Sequence, residues 1–580
     1  MGILFGQFYS NFMKKFLLFV FIGYSTLIQA QTERKVSFVG GARSFLNSNT
    51  LVVNDSLADT TTVKKNNGGY ALIDFGVNIK PNKNTEILGM FRIRNDYGGF
   101  WGSGVNFDVR QLWVKGVVAN ALRYQLGDIN LKQTPFTLYN HHADQIDSLP
   151  SVFGLQQNIV NYERFYKDNH SWRMQGADID FGFTFSKYLK EINVNAFINR
   201  LNATNFSTVP DRLMDGIGIQ LIQSNKLQLG YFSNNVFDVK GTIAGNNIFK
   251  NNVNTFTLNL KQVVGTQELS LNGEAGTSNY HYSADSLAPQ LNDYFINVYG
   301  DINITKLNLK ATLGYLNVGP DFRSIGAQSK DINYNALPTY FNRYTNSQQV
   351  RPITLFDVIG NENIYNRTVT SPLMPESKIF NTILPYGIAT FNRVGMYCKV
   401  LYRGNKGLAL NGEYFNLSEI RGQGSFALRK YSIVKFNVNI PVNRYINSKK
   451  TLTLQLSTNL QATNRKSNES IENADYKTTQ YVAGFRWEFI SNFELLGGFI
   501  SQTNKGFDFI ADRNGYTEVI YYTLTNYSLT QQIKAVGIRY NFSSKAYLCA
   551  LYQQSSYQDK LKNNTDFNIN QFGLLYNISL

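Results

Sequence analysis

The sequence predicts an all-β protein: a single closed antiparallel transmembrane β-barrel of roughly 18–24 strands with long outer loops. Three observations support this fold class. Apolar and polar residues alternate along many segments, short polar turns separate those segments, and the chain ends within such an alternation. The composition agrees, because 14% aromatic residues accompany a mean hydropathy of only −0.25. Strands with one apolar face and aromatic rims have this composition.

Residues 1–30 are predicted to be an export signal peptide. Lys14-Lys15 supply a positive start, residues 16–22 form a short apolar run, and Gln29-Ala30 precede a plausible cleavage point. Met13 is a better start than Met1 for such a peptide. Residues 31–580 contain no other apolar run long enough to span a bilayer as a helix. We therefore expect 31–580 to form the barrel as one domain.

Hairpins recur along the predicted barrel, and its first alternation begins at Val36. In each hairpin, a few Asn, Ser, Lys or Pro residues separate two alternating segments. Examples are 73–79 with 87–93, 217–221 with 227–231, 295–304 with 307–316, and 483–489 with 493–499. Short turns on one side and longer polar loops on the other are typical of outer-membrane barrels.

Two stretches interrupt the alternation. Residues 132–156 have a loop-like composition, and about 317–385 contain six prolines. A long irregular segment in a compact domain is more often functional than idle. We expect the second stretch to be a loop or lumen insert that narrows the pore or covers its outer mouth. Its basic residues, the predicted constriction-loop candidates, are Arg323, Arg343, Arg351 and Arg367.

The C-terminal strand is the clearest single element. Phe572, Leu574, Tyr576, Ile578 and Leu580 share one face, while the other face is polar except for Leu575. This strand resembles the C-terminal recognition strand of outer-membrane proteins, although that strand usually ends in Phe or Trp. Residues 537–543 repeat its pattern 36 positions earlier. Strands two apart in one barrel would produce this echo.

The alternation also predicts which charged residues face the lumen. Arg486 lies between Phe485 and Trp487, and Arg539 lies between Ile538 and Tyr540. A charge facing lipid at mid-membrane costs about 2–4 kcal/mol, so both arginines are expected to point inward. Glu488 shares a face with Arg486, and an inward Arg–Glu pair more often stiffens the wall than selects a solute.

Three further pore-lining candidates lie in residues 105–136. They are Arg110, Lys115 and Arg123, and they point inward only if their apolar neighbours face lipid. Arg110 and Leu112 share parity, so a bulge and a wrong strand register are both open alternatives here. This region resembles the arrangement in porins, in which a strand pair is followed by a Gly-Asp turn, here Gly127-Asp128, and an inward loop with a Pro-Phe step. The resemblance implies a pore constriction, but assigns no residue to it.

Other segments resemble uncharacterised outer-membrane barrels of gliding bacteria with type IX secretion. They are 319–328, 384–387 and 392–395. That resemblance implies a barrel and no particular activity.

Enzyme signals are poor. The four histidines include the adjacent pair His141-His142, whose side chains point oppositely on an extended loop, and no ligand spacing suits zinc. We predict no catalytic residue, metal or cofactor. The formal net charge of +16 is spread along the chain rather than clustered, which disfavours nucleic-acid binding. It suits anionic lipopolysaccharide around the loops or a basic pore that favours anions.

The sequence thus predicts an outer-membrane, porin-like channel for passive passage of small polar or anionic solutes. Its expected partners are outer-membrane lipid, lipopolysaccharide and the barrel-assembly machinery, with a homo-oligomer or a secretion-system partner left open. One alternative is a non-transporting barrel that docks secretion or gliding machinery. A second is an outer-membrane hydrolase.

Overall fold

The computed structural model describes twelve ranges of the chain: 35–53, 65–97, 105–141, 149–164, 170–207, 209–243, 249–282, 290–329, 383–422, 425–513, 519–561 and 566–579. The predicted signal peptide, Leu580 and the candidates Arg343, Arg351 and Arg367 lie outside these residues.

Twenty-two strands form one antiparallel sheet. Their bounds are β1 (Val36–Val53), β2 (Lys65–Asn82), β3 (Thr85–Asp96), β4 (Val105–Val118), β5 (Leu122–Leu131), β6 (Trp172–Thr184), β7 (Glu191–Asn202), β8 (Arg212–Ile222), β9 (Leu227–Asp238), β10 (Phe249–Val264), β11 (Gln267–Tyr282), β12 (Leu291–Ile304), β13 (Leu309–Val318), β14 (Arg393–Arg403), β15 (Ala409–Ser418), β16 (Lys430–Pro441), β17 (Leu452–Arg465), β18 (Ala474–Ile490), β19 (Phe493–Arg513), β20 (Val519–Ser543), β21 (Ala546–Asp559) and β22 (Phe567–Ser579).

The sheet closes on itself because β22 pairs with β1 from Gly41↔Ser579 to Val53↔Phe567. Each other strand pairs with its neighbours in sequence. Closure leaves no edge strand at either end of the sheet, as backbone surrounded by hydrocarbon requires. The predicted fold class is confirmed, and the strand number falls within the expected range.

The two ends of the barrel differ. Turns of at most ten residues join even-numbered strands to the next odd-numbered ones, whereas the opposite end carries connections of up to 74 residues, between β13 and β14. By the rule for such barrels, the short turns are periplasmic and the long connections are outer. The described residues contain two helices, α1 (Ser151–Arg164) and α2 (Val442–Tyr445), and 3-10 turns at Thr305–Leu307, Gly387–Ala389 and Ser470–Glu472. Among the described residues, no helix is long and apolar enough to cross a membrane.

The alternation has the expected directions in the terminal strand. Phe572 and Tyr576 are 53% and 36% exposed on the outer wall, whereas Leu575 is 4% exposed and faces inward. Leu575 belongs to a buried apolar cluster in which Val152 and Phe153 of α1 pack against the inner wall. An apolar residue on the inner face therefore marks the place where α1 lies on the wall.

The irregular segments also fold inside the barrel. Phe136, Phe322 and Ile383 are buried together against the inner faces of β10 and β12–β16. The segments contact each other directly, since Ser324 Oγ donates to the carbonyl oxygen of Thr137 at 3.2 Å. The described parts of both long connections, around 134–140, 319–329 and 383–392, thus occupy the lumen opposite α1.

Candidate functional site

The inner wall of β1–β4 carries an arginine cluster, defined here as Arg43, Arg92, Arg94 and Arg110. Asp74 on β2 lies within it, with no exposed side-chain surface. Arg92 donates to both carboxylate oxygens of Asp74, from Nε at 2.7 Å and from Nη2 at 2.6 Å. Nε of Arg110 lies 3.9 Å from the same carboxylate. These distances place one buried carboxylate between two guanidinium groups.

Helix α1 covers part of the cluster through Tyr162. The Tyr162 hydroxyl donates to Asp74 Oδ2 at 2.6 Å, and Nη2 of Arg110 donates to the Tyr162 carbonyl at 3.4 Å. Burial and the adjacent Asp74 raise the pKa of the Tyr162 phenol above its usual range, so the phenol stays a hydrogen-bond donor. The guanidinium of Arg43 lies 5.4 Å from the Tyr70 ring and 5.7 Å from the Tyr162 ring.

Contacts with the Tyr70 side chain hold the guanidinium groups of Arg43 and Arg94 against the wall. Arg94 lies 4.2 Å from the centre of the Tyr70 ring, and Arg43 Nε donates to the Tyr70 hydroxyl at 2.9 Å. A ring face attracts a cation without neutralising its charge. The contacts therefore orient the side chains while their positive potential persists in the lumen.

The structure places Arg110 at a β-bulge. The ladder between β3 and β4 shifts at Met90/Phe91: Met90 pairs with Gln111 and Phe91 pairs with Val109. Arg110, between these two β4 residues, has no ladder partner on β3. Val109 and Leu112 face outward, 55% and 56% exposed, and Arg110 is fully buried on the inner side. Because of the bulge, Arg110 points into the lumen although Leu112, two positions later, points to lipid.

Lys115 and Arg123 lie near the short-turn end rather than in the arginine cluster. Lys115 pairs with Glu86 at 3.0 Å and Arg123 pairs with Asp180 at 2.7 Å. Both line a cleft of about 460 Å³ that also contains Lys80. These side chains are 44% and 69% exposed, so their ion pairs are solvated and contribute little to stability.

Arg486 and Arg539 both point inward and share one partner, Glu494. Their Nε atoms donate to its two carboxylate oxygens at 3.0 and 2.8 Å. Glu488 also faces inward but accepts instead from the backbone N–H groups of Thr451 and Asn492, at 3.3 and 3.2 Å. The three charged groups on β18, β19 and β20 form a cross-strand triad that joins neighbouring strands of the wall.

Arg323 lies in the lumen segment but does not project into open space. Its Nη1 donates to the carbonyl oxygens of Pro320 and Phe322, at 3.0 and 2.9 Å, and its guanidinium lies 4.3 Å from the Phe391 ring. Burial lowers the pKa of this guanidinium. The other three constriction-loop candidates fall outside the described residues.

Sequence reasoning missed most of the arginine cluster. Arg92 and Arg94 alternate with Phe91 and Ile93, which is the same pattern that identified Arg486 and Arg539. The signal was therefore present. Asp74 shows it too, between Ile73 and Phe75, whereas Tyr162 has no such pattern because it lies on a helix within a loop.

Among the described residues, no group of three or more His, Cys, Asp and Glu side chains could hold a metal ion. Cys398 and Cys549 are free thiols. The arrangement described above can attract and orient an anion, and it contains no nucleophile activated by a base in the described lumen contacts.

No protein-family model and no curated protein matches this chain. It is similar in structure to a BenF-like porin from Pseudomonas fluorescens Pf-5, with 9% identity and a TM-score of 0.35 over 94% of this chain and 99% of that one. Pseudomonas aeruginosa OccK2 (OpdF) has 9% identity and a TM-score of 0.33 over 94% and 98% of the two chains. Pseudomonas aeruginosa OpdK, solved with vanillate, has 11% identity and a TM-score of 0.31 over 94% and 99%.

The assignment of the fold depends on the closed strand ladder rather than on these likenesses. A closed 22-stranded wall with an apolar outer face and a polar inner face defines an outer-membrane β-barrel protein. The predicted localisation in the outer membrane follows from this architecture.

Proposed function

We propose that this barrel is a passive channel for small anionic solutes across the outer membrane. The observation that supports it is the arginine cluster on the inner wall of β1–β4. Among the described side chains of that wall, the four guanidinium groups accompany three carboxylates, Asp74, Asp108 and Glu86. Asp108 lies opposite Arg92 in the ladder, and Glu86 pairs with Lys115 near the short-turn end.

A pore wall selects ions through the charges that line it. A unit positive charge about 4 Å from an anion lowers its energy by about 1 kcal/mol in bulk water and about 4 kcal/mol near a protein surface. Helix α1 covers part of the cluster through Tyr162 and limits the water there, which places the interaction energy between these two values. A solute carboxylate would bind beside Arg94, which is the least buried guanidinium group of the cluster, because Arg43, Arg92 and Arg110 are 4%, 4% and 0% exposed.

The test is the reversal potential of single channels in planar bilayers under a KCl gradient. We expect anion preference in the unmodified protein and a roughly threefold or greater loss of the chloride-to-potassium permeability ratio in R92Q/R94Q. R200Q is the matched control, because Arg200 lies on the outer wall, 51% exposed and paired with Asp211 at 2.6 Å. Cation preference in the unmodified protein would refute the proposal.

Absence of conductance would also refute it. If the same preparation then yielded a protein partner after cross-linking, the docking role for secretion or gliding machinery would be favoured instead.

A further inference from the structure

The barrel wall contains a seam between β4 and β5. These strands pair over six residues only, from Val118↔Leu122 to Trp113↔Gly127. Toward the outer end, β4 continues to Val105 paired with β3, and β5 continues to Leu131 paired with β6. No ladder pair joins the described residues of these two upper halves. The shortest other ladders, such as β12–β13 and β14–β15, have ten pairs.

Side chains replace the missing ladder bonds at the start of the seam. Asp128 Oδ2 accepts the backbone N–H of Leu112 at 2.7 Å. Arg173, on β6, donates to Asp128 Oδ1 at 2.7 Å and to the carbonyl oxygen of Arg110 at 2.6 Å. We call Asp128 and Arg173 the latch, because together they join β4, β5 and β6.

The sequence pattern predicted a turn at Gly127-Asp128 after the strand pair, but both residues lie within β5, where they begin the divergence of the strands. Gly127 has a φ of 94°, which favours glycine, and a Cβ there would lie 2.3 Å from the carbonyl oxygen of Leu112. The close approach of the two backbones at Gly127 is followed at once by the latch. Gly127 thus ends the β4–β5 ladder, and the carboxylate of Asp128 takes the place of the next backbone acceptor.

The seam lies within the apolar band of the outer wall. Phe107, Val109 and Leu112 of β4 are 65%, 55% and 56% exposed there, and they flank the seam on its lipid side. They occupy the half of β4 nearer the outer end, which faces the outer leaflet. Backbone edges in hydrocarbon are costly, so a wall interrupted at this level needs side chains to close it.

Arg110 connects the seam to the lumen. Its carbonyl oxygen accepts from the latch, while its guanidinium points to Asp74 and α1 in the arginine cluster. A cationic group therefore lies on the inner side of the seam and an apolar surface on the outer side. An amphipathic anion, with a carboxylate and a hydrocarbon chain, matches both sides.

We propose that the β4–β5 seam is a lateral gate, through which an amphipathic carboxylate passes between the arginine-lined lumen and the outer leaflet. That the ligand carries a carboxylate depends on the anion channel proposed above. The gate itself depends only on the short ladder between β4 and β5. In the described contacts, opening the gate separates the hydrogen bonds of Asp128 and Arg173, which is less demanding than breaking a ladder of ten or more pairs.

Distance measurements by double electron–electron resonance test the gate. Spin labels at V109C and Q175C lie on the outer wall on either side of the seam, in a C398S/C549A background reconstituted in phosphatidylcholine vesicles. Gln175 lies opposite Asp128 in the β5–β6 ladder and is exposed. We expect decanoate at pH 9 to move part of the distribution to longer distances by about 5 Å, one strand spacing.

The D128N variant should show the same longer population without decanoate. D180N is the matched control, because Asp180 lies on β6 and pairs with Arg123 outside the seam. R173Q serves as a second latch variant if D128N fails the heat-modifiability test of barrel folding. A single unchanged distribution with decanoate and in the folded latch variant would overturn the gate.

Short and uncharged probes separate the parts of the proposal. Butyrate should leave the distances unchanged, and decanol should produce less of the open population than decanoate does. An equal response to decanol would overturn the assignment of a carboxylate ligand. Bilayer selectivity is measured separately, so failure of the anion channel and failure of the gate give different results.

Discussion

Replacement of Glu494 by glutamine should destabilise the barrel through the triad that joins β18, β19 and β20. Glu494 is 4% exposed, and its two oxygens accept from Arg486 and Arg539, which are 37% and 15% exposed. E494Q preserves the size of the side chain but removes the only negative charge of the triad. The guanidinium groups of Arg486 and Arg539 then lie close together on the inner wall with no carboxylate between them.

Loss of one partner from a buried ion pair costs about 3–5 kcal/mol. The exposure of Arg486 reduces its share of that cost, because solvent screens its charge. We therefore expect a loss of about 2–3 kcal/mol in the free energy of unfolding, which corresponds to a roughly 30–150-fold change in the unfolding equilibrium.

Equilibrium unfolding in guanidinium chloride, followed by tryptophan fluorescence in phospholipid vesicles, measures this loss. The control is E488Q, because Glu488 accepts only backbone N–H groups in the described contacts and contacts no guanidinium group there. Glutamine keeps one of its two acceptor oxygens, so E488Q loses one long hydrogen bond and should change the free energy by less than about 1 kcal/mol.

The triple variant E494Q/R486Q/R539Q decides the mechanism. Removing all three charges removes the repulsion as well, so we expect it to regain most of the stability lost in E494Q. A change below about 0.5 kcal/mol in E494Q, or a triple variant no more stable than E494Q, would refute the electrostatic explanation.

Three further outcomes follow from the lumen contacts. G498V should displace α1, because a Cβ at Gly498 would lie 2.6 Å from the side chains of both Val152 and Phe153. Single-channel conductance should then rise, and an unchanged conductance would contradict this. F136A should cost about 3–5 kcal/mol in chemical unfolding, since Phe136 is fully buried and stacks on Phe295 at 3.9 Å. K115Q should change the unfolding free energy by less than about 1 kcal/mol, because its ion pair is exposed, and a larger loss would reveal a structural role.

The predicted architecture was accessible from the sequence because the side-chain direction of a strand is a local property. Arg486 and Arg539 each lie between two lipid-facing residues, and that placement required no knowledge of their neighbours in space. Arg92 and Arg94 followed the same rule and could have been identified in the same way.

The partners of these residues were not accessible in this way. Glu494 lies eight positions from Arg486 and 45 from Arg539, and only the registers of β18–β19 and β19–β20 bring the three together. The alternation placed Glu488 on the same face as Arg486, but Arg486 pairs with Glu494 instead. Register is a relation between strands, and a single strand's pattern does not specify it.

The sequence by itself determined the fold class, the outer-membrane destination and the faces of regular strands, because an alternation of period two has one stable arrangement when lipid lies on one side. Only the tertiary structure decided where the irregular connections go, how Arg110 leaves the alternation at a bulge, and where β4 and β5 part. Those features arise from contacts between distant segments, such as Ser324 with Thr137 and Arg173 with Arg110, which no local periodicity encodes.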